Sequence, residues 1–277
     1  MSVIEAVFLG LVQGLTEFLP ISSSGHLVMF QTILGIDNNS ADLMFDSLLH
    51  IGTLFAVFIA FGSEIKELVS EAFSTSKQIV SGKLQFKSIN SKQRMLFSLF
   101  ISLIPLLFIF PIKEFIEKTY SSIITVGIAL IFTSILLFLC DKIVEGNATE
   151  EDLTVKKSLV VGIVQAFAVI PGISRSGFTI TAGIMCGFNR KLAVQYSFLL
   201  SIPTIIAGAL LNIIDAINVE SVNTSLLIPY MIGMATAAIS GYASLKLLQF
   251  LLKNKKFIIF SIYCLAVGVF SIIYGLT

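Results

Sequence analysis

Apolar residues gather into six long runs, at 43–62, 95–112, 121–140, 192–214, 226–251 and 257–275. Each has close to the ~20 residues that a helix needs to cross a hydrocarbon core of ~30 Å. Two shorter apolar stretches, 3–15 and 159–170, behave differently. At about a dozen residues, each would reach only ~20 Å as helix. Each ends in a cluster of Pro, Ser and Gly, at 20–25 and 171–177, and a second short apolar piece follows, at 27–36 and 178–188. Such clusters break helices, and broken backbone at membrane depth survives only where protein or a wet cavity satisfies it. The pattern predicts a helix–loop–helix that dips into the membrane and returns, once in each half of the chain.

The two broken segments are related. At a spacing of 152 residues, Gly10/Gly162, Val12/Val164, Gln13/Gln165, Ser22/Ser174, Ser24/Ser176 and Gly25/Gly177 are identical pairs, while Ser23 falls opposite Arg175 and Glu17 opposite Val169. Beyond them, Phe45/Tyr196, Leu48/Leu199, Leu49/Leu200, Ile51/Ile202 and Thr53/Thr204 correspond at a spacing of 151. The expected architecture is therefore an all-α polytopic membrane protein built as a single integral domain of two repeats. Residues 1–141 hold a re-entrant hairpin (3–36) and spans 43–62, 95–112 and 121–140; residues 142–277 hold a hairpin (159–188) and spans 192–214, 226–251 and 257–275. Three spans per repeat make the second half upside down relative to the first, an inverted repeat that brings broken helix tips toward the midplane.

Composition narrows the class and charge orients the chain. It is 56% hydrophobic and 13% charged, with a mean hydropathy of +0.95, which excludes an ordinary soluble domain. If 63–94 is cytoplasmic, the inner segments 63–94, 141–158, 189–191 and 252–256 carry six, three, two and three Lys/Arg, against two and none in the outer loops 113–120 and 215–225. That is a positive-inside bias. Both termini are then expected outside, with the first hairpin entering from outside and the second from the cytoplasm. The 63–94 segment, amphipathic through Ile65, Leu68, Val69, Ala72 and Phe73, is expected along the membrane surface. Cys140, Cys186 and Cys264 lie far apart beside apolar runs and read as packing residues.

Ionisable residues away from the loops carry the candidate chemistry. Gln13 and Glu17 lie one turn apart on one helix face and could address one ligand or metal ion. Arg175, between Ser174 and Ser176 and preceded by Pro171-Gly172, suits an anion such as phosphate: a guanidinium fork beside two hydroxyls and a helix N-terminus. His26 follows Ser23 by three residues, a helical spacing that lets an imidazole reach a serine hydroxyl, although such a pair is equally a packing feature. His50, one turn after Asp46 and two after Asp42, reads as a packing or supporting residue rather than a catalytic one.

Gln13-x-x-x-Glu17 followed by Phe-Leu-Pro-Ile-Ser-Ser-Ser-Gly-His26, with Pro171-Gly-x-Ser-Arg-Ser-Gly-x-Thr179 and the Gly187-Phe-Asn-Arg190 turn, resembles undecaprenyl-diphosphate phosphatase, the bacitracin-resistance type of bacterial membrane enzyme. The resemblance covers the whole chain. It implies removal of the terminal phosphate of undecaprenyl diphosphate to regenerate the monophosphate carrier lipid for peptidoglycan and other wall polymers. It further implies a divalent cation, Mg²⁺ or Ca²⁺, and a plasma-membrane site open to the outer face. By the same resemblance Glu17 is the essential acidic position, Gln13 the preceding one, Ser23 the proposed nucleophile, His26 its neighbouring histidine and Arg175 the essential arginine. Ser22, Ser24, Ser174, Ser176 and Thr179 are the accompanying hydroxyls. Glu17 and Gln13 are the candidate metal ligands, and glutamine is the weaker ligand for a hard cation.

Two chemical routes stay open: attack by Ser23 with His26 or Glu17 taking its proton, or direct attack by an activated water. The rival class is a polyprenyl-phosphate transporter or flippase, because inverted repeats with broken helices also serve transport. A purely structural role leaves the intramembrane Glu, Arg and His unexplained. The expected partners are the lipid substrate and membrane lipids, with no nucleic acid; a homodimer is compatible with the sequence.

Overall fold

The computed structural model describes residues 1–35, 40–85, 89–112, 115–116, 122–219, 226–253 and 257–277. The end of the first hairpin at residue 36, most of loop 113–120, residues 220–225, Lys255, Lys256 and the Asp42 side chain lie outside that description. Every described element of length is helical: α1 (Val3–Phe18), α2 (Ser23–Leu34), α3 (Ser40–Ala60), α4 (Gly62–Val80), α5 (Ser91–Ile109), α6 (Ile123–Lys142), α7 (Val155–Phe167), α8 (Arg175–Met185), α9 (Arg190–Val219), α10 (Leu227–Lys253) and α11 (Phe257–Leu276). Five of them, α5, α6, α9, α10 and α11, are long and apolar enough to cross a membrane alone. The expected span at 43–62 ends at Ala60, and the chain turns by 88° into α4; the two qualify as a span only jointly. Multiple spanning helices make this a multi-pass membrane protein.

Both expected breaks are present, with different limits. α1 runs on through Glu17 to Phe18, so the first break is short, and α2 starts at Ser23 within the Ser-Ser-Ser-Gly cluster. The cluster opens a helix because Ser22 caps it, its hydroxyl accepting from the Gly25 N–H at 3.3 Å. Ser174 does the same for α8, accepting from the Gly177 N–H at 3.1 Å. At its other end α1 is fixed by a capping box between Ser2 and Glu5.

Helix packing interleaves the two halves of the chain. α1 packs along α10, α7 along α5, α3 against α9 and α10, and α6 along α11. Small residues permit these approaches. A Cβ on Gly127 of α6 would lie 2.7 Å from the Gly268 carbonyl oxygen of α11, and one on Gly268 would lie 2.8 Å from that of Gly127. Two turns along, Ser134 Oγ donates to the Ser261 carbonyl at 2.7 Å and Ser261 Oγ to the Ser134 carbonyl at 2.8 Å. Buried hydroxyls thus pair with backbone inside the bundle rather than face lipid.

The tips of the two hairpins meet. Ser176 Oγ donates to the Leu19 carbonyl at 3.2 Å, and Ser22 Oγ to the Ile173 carbonyl at 3.4 Å. Gly25 faces Gly172, leaving 3.0 Å between a Cβ built on the first and the Cα of the second. Gly177 faces Pro20 in the same way, at 3.2 Å.

Candidate active site

On α1, Gln13 and Glu17 point inward and are 0% and 7% exposed. Their four-residue spacing lets Gln13 Nε2 donate to Glu17 Oε2 at 3.0 Å. Ser23, on the first turn of α2, donates its hydroxyl to the same oxygen at 2.5 Å. The other carboxylate oxygen of Glu17 is ion-paired with Nη2 of Arg175, on the first turn of α8. One carboxylate thereby joins both hairpins, and a charge-assisted pair of this kind is the strong sort of hydrogen bond. His50 Nε2 of α3 approaches Glu17 Oε2 to 3.7 Å. Its Nδ1–H donates to the Asp46 carbonyl at 2.8 Å, which orients the ring.

Two polar atoms here have no hydrogen-bond partner among the described residues: Nη1 of Arg175 and Oε1 of Gln13. The first is a charged donor carried by the first residue of α8. A helix N-terminus with a guanidinium at its first turn suits an anion. A hydroxyl hydrogen-bonded to a carboxylate within the same cluster is the arrangement of an activated nucleophile.

The sequence model of the bacitracin resistance protein BacA matches residues 6–270. The chain is 38% identical to the undecaprenyl-diphosphatase of Methanosphaera stadtmanae over 277 residues, covering 99% of this chain and 98% of that one. Its identity to the undecaprenyl-diphosphatase of Halothermothrix orenii is 37%, over 99% and 98% of the two chains. To that of Carboxydothermus hydrogenoformans it is 36%, over 97% and 96%. The chain belongs to the BacA family.

In this BacA-family chain the structure brings Gln13, Glu17, Ser23 and Arg175 into one cluster, whereas His26 turns away from it. His26 Nδ1–H donates to the Ser22 carbonyl at 2.7 Å, and its Nε2 meets the Tyr263 hydroxyl at 2.9 Å, the two rings being stacked with centroids 5.6 Å apart. The spacing that allowed an imidazole to reach Ser23 is used instead to hold the first tip against α11. Thr179 is likewise engaged elsewhere, donating to the Arg175 carbonyl at 2.8 Å and lying 2.6 Å from Ser197 Oγ. Ser22, Ser24, Ser174 and Ser176 line the tips: Ser22 Oγ lies 3.4 Å from Ser24 Oγ, and Ser174 Oγ lies 3.3 Å from Ser176 Oγ.

Two residues join the cluster and its surroundings that the motifs did not assign there, His50 and Tyr263. His50 carried a usable signal, an ionisable side chain inside an apolar run. Tyr263 carried none, since only the packing of α11 brings it to His26.

No group of three or more His, Cys, Asp or Glu side chains capable of holding a metal occurs among the described residues. Glu17 and the unpartnered Gln13 Oε1 are nevertheless hard oxygen donors on one helix face. Hard oxygen donors suit Mg²⁺ or Ca²⁺, and these two residues would hold such an ion.

Proposed function

We propose that this chain removes the terminal phosphate of undecaprenyl diphosphate, releasing undecaprenyl phosphate for reuse as a carrier lipid in cell-wall synthesis. The observation that carries this reading is the Ser23 hydroxyl, held 2.5 Å from a Glu17 carboxylate that is also paired with Arg175. Phosphoryl transfer depends on positioning and charge neutralisation, and this cluster supplies both.

In the proposed reaction the terminal phosphate lies against Arg175 Nη1 and the first-turn amides of α8. Ser23 Oγ attacks phosphorus and passes its proton to Glu17 Oε2. The bond from phosphorus to the bridging oxygen breaks, and undecaprenyl phosphate leaves. Water then attacks the phosphoserine, the proton on Glu17 returns to the departing Ser23 oxygen, and inorganic phosphate is released. Glu17 is favoured over His26 as proton acceptor because His26 is committed to Ser22 and Tyr263. A divalent cation held by Glu17 and Gln13 would add neutralisation of the phosphate charge.

The finer architecture we propose is an inverted repeat of residues 1–141 and 142–277, with both termini outside and the site open to the outer face of the plasma membrane. Its support is reciprocal contact. Exchanging positions 152 apart turns the Gly25–Gly172 approach into the Gly177–Pro20 approach. Orientation rests on the Lys/Arg imbalance between the two sets of loops. On this reading the chain also confers bacitracin resistance.

Purified protein in detergent, given undecaprenyl diphosphate with and without chelator, tests the reading through phosphate release. Binding without hydrolysis would instead support a carrier that only moves the lipid.

A further inference from the structure

Gln165 lies on the inner face of α7 and is 2% exposed. Neither its Nε2 nor its Oε1 has a hydrogen-bond partner among the described residues. Because both atoms are free, the observation does not depend on which way the amide is turned. A buried primary amide with both ends unpaired is rare in folded proteins and points to a ligand or functional role.

The first hairpin shows where such an amide points. Gln13 Nε2 and Ser23 Oγ converge on one atom, Glu17 Oε2, at 3.0 and 2.5 Å. An amide at this helix position and the first residue of the following helix therefore address the same small space. In the second hairpin the matching positions are Gln165 and Arg175, and the place of Glu17 is taken by Val169. The hairpins share a serine-capped second helix and tips seated on each other, while α7 ends at Phe167, two residues before Val169. Valine accepts no hydrogen bond, so Gln165 has lost the acceptor that Gln13 keeps. Arg175 Nη1 is unpartnered as well. Two buried donors of the second hairpin, at positions corresponding to Gln13 and Ser23, are thus without an acceptor.

We infer that Gln165 is a substrate-binding residue that donates Nε2–H to an oxygen of the terminal phosphate beside Arg175 Nη1. The inference rests on the phosphatase reading of the site. Arg175 Nη2 stays on Glu17, so the phosphate is held by one guanidinium nitrogen, one amide and the helix N-terminus, and Oε1 of Gln165 accepts from a water. Glu17 and Ser23 then act on the phosphate from the first hairpin while Gln165 and Arg175 grip it from the second.

Inorganic phosphate in phospholipid-free detergent is the probe. Gln165→Leu keeps the bulk and removes the donor. It should weaken phosphate binding about ten- to hundredfold, lower kcat/KM for prenyl diphosphate to a similar extent, and leave the unfolding temperature unchanged or raised, because an unpaired buried amide is gone. Gln165→Glu, of the same shape but negatively charged, should bind phosphate more weakly still. Phosphate affinity within twofold of the unsubstituted protein in both variants overturns the inference. So does a lowered unfolding temperature with unchanged phosphate affinity in the folded fraction, which is the signature of a packing role. Displacement of bound phosphate by added phospholipid would assign the site to a headgroup and also overturn it. If unsubstituted protein binds phosphate but releases none from prenyl diphosphate, the phosphatase reading fails while the binding comparison still decides the role of Gln165.

Discussion

Arg175 and Glu17 are ion-paired across 158 positions of sequence, one from the first turn of α8 and the other from the last turn of α1. The pair spans the junction of the hairpin tips, and the same carboxylate accepts the Ser23 proton donor. In the proposed reaction, phosphate clamp and proton acceptor are therefore one unit. Arg175→Ala should lower turnover by about three orders of magnitude, as expected for loss of a charged group facing a phosphate. Glu17→Gln should lower it by about 10²–10⁴-fold. The double variant should be little worse than the worse single, because members of a unit are not additive. Losses that multiply would show that the two act separately.

Ser23 distinguishes the chemical routes. If it is the nucleophile, acid quenching during turnover should trap phosphate on Ser23, detectable by mass spectrometry of the peptide, and Ser23→Ala should be almost inactive. Near-normal turnover in that variant would mean that water attacks directly.

Supplied cation is the third point of attack. Chelation should abolish turnover, and Mg²⁺ or Ca²⁺ should restore it. Gln13→Glu adds a second carboxylate beside Glu17 and should lower the half-activating cation concentration by about tenfold. An unchanged cation requirement would remove position 13 from the ligand set.

His26 should behave as a positioning residue. Tyr263→Phe removes one hydrogen-bond partner, worth about 1 kcal/mol, and should lower turnover by less than about tenfold. His26→Gln should keep the shape of the pH–rate profile while lowering thermal stability in detergent. A profile that loses a limb would make His26 the proton acceptor instead.

Gly172 tests the tip junction. Its φ is +92°, and an added Cβ would lie 2.7 Å from both the Ala129 Cβ and the Val126 carbonyl oxygen. Gly172→Ala should destabilise the protein by about 1–3 kcal/mol and impair hydrolysis. Gly208→Ala, inside α9 with no atom near its added methyl, is the matched control and should be neutral or slightly stabilising.

Much of this was readable from the residues. Apolar run length placed the spanning helices, and Pro20, Pro171 and the Ser-Gly clusters marked both breaks. Gln13 and Glu17 were recognisable as neighbours because four residues make one helical turn. What escaped was either capping or distance. Ser22 starts a helix where a breaker was expected, since a serine hydroxyl satisfies the free amides of the next turn. The 88° turn after Ala60 shortened the first expected span. His50 reaches Glu17 only because α3 passes beside α1, and Tyr263 reaches His26 from 237 residues away. No local pattern encodes such meetings.

The packing of α1 along α10 also sets an order of assembly. A chain made from its N-terminus presents the first hairpin early, yet the long helix that covers α1 is the last but one to be synthesised. Ser22 must likewise wait for Ile173, and Leu19 for Ser176. Until then the first hairpin carries Gln13 and Glu17 uncovered in the bilayer or beside the insertion machinery. Its completion is a late event of biogenesis, and truncation after α9 should leave a chain that inserts but never closes its first half.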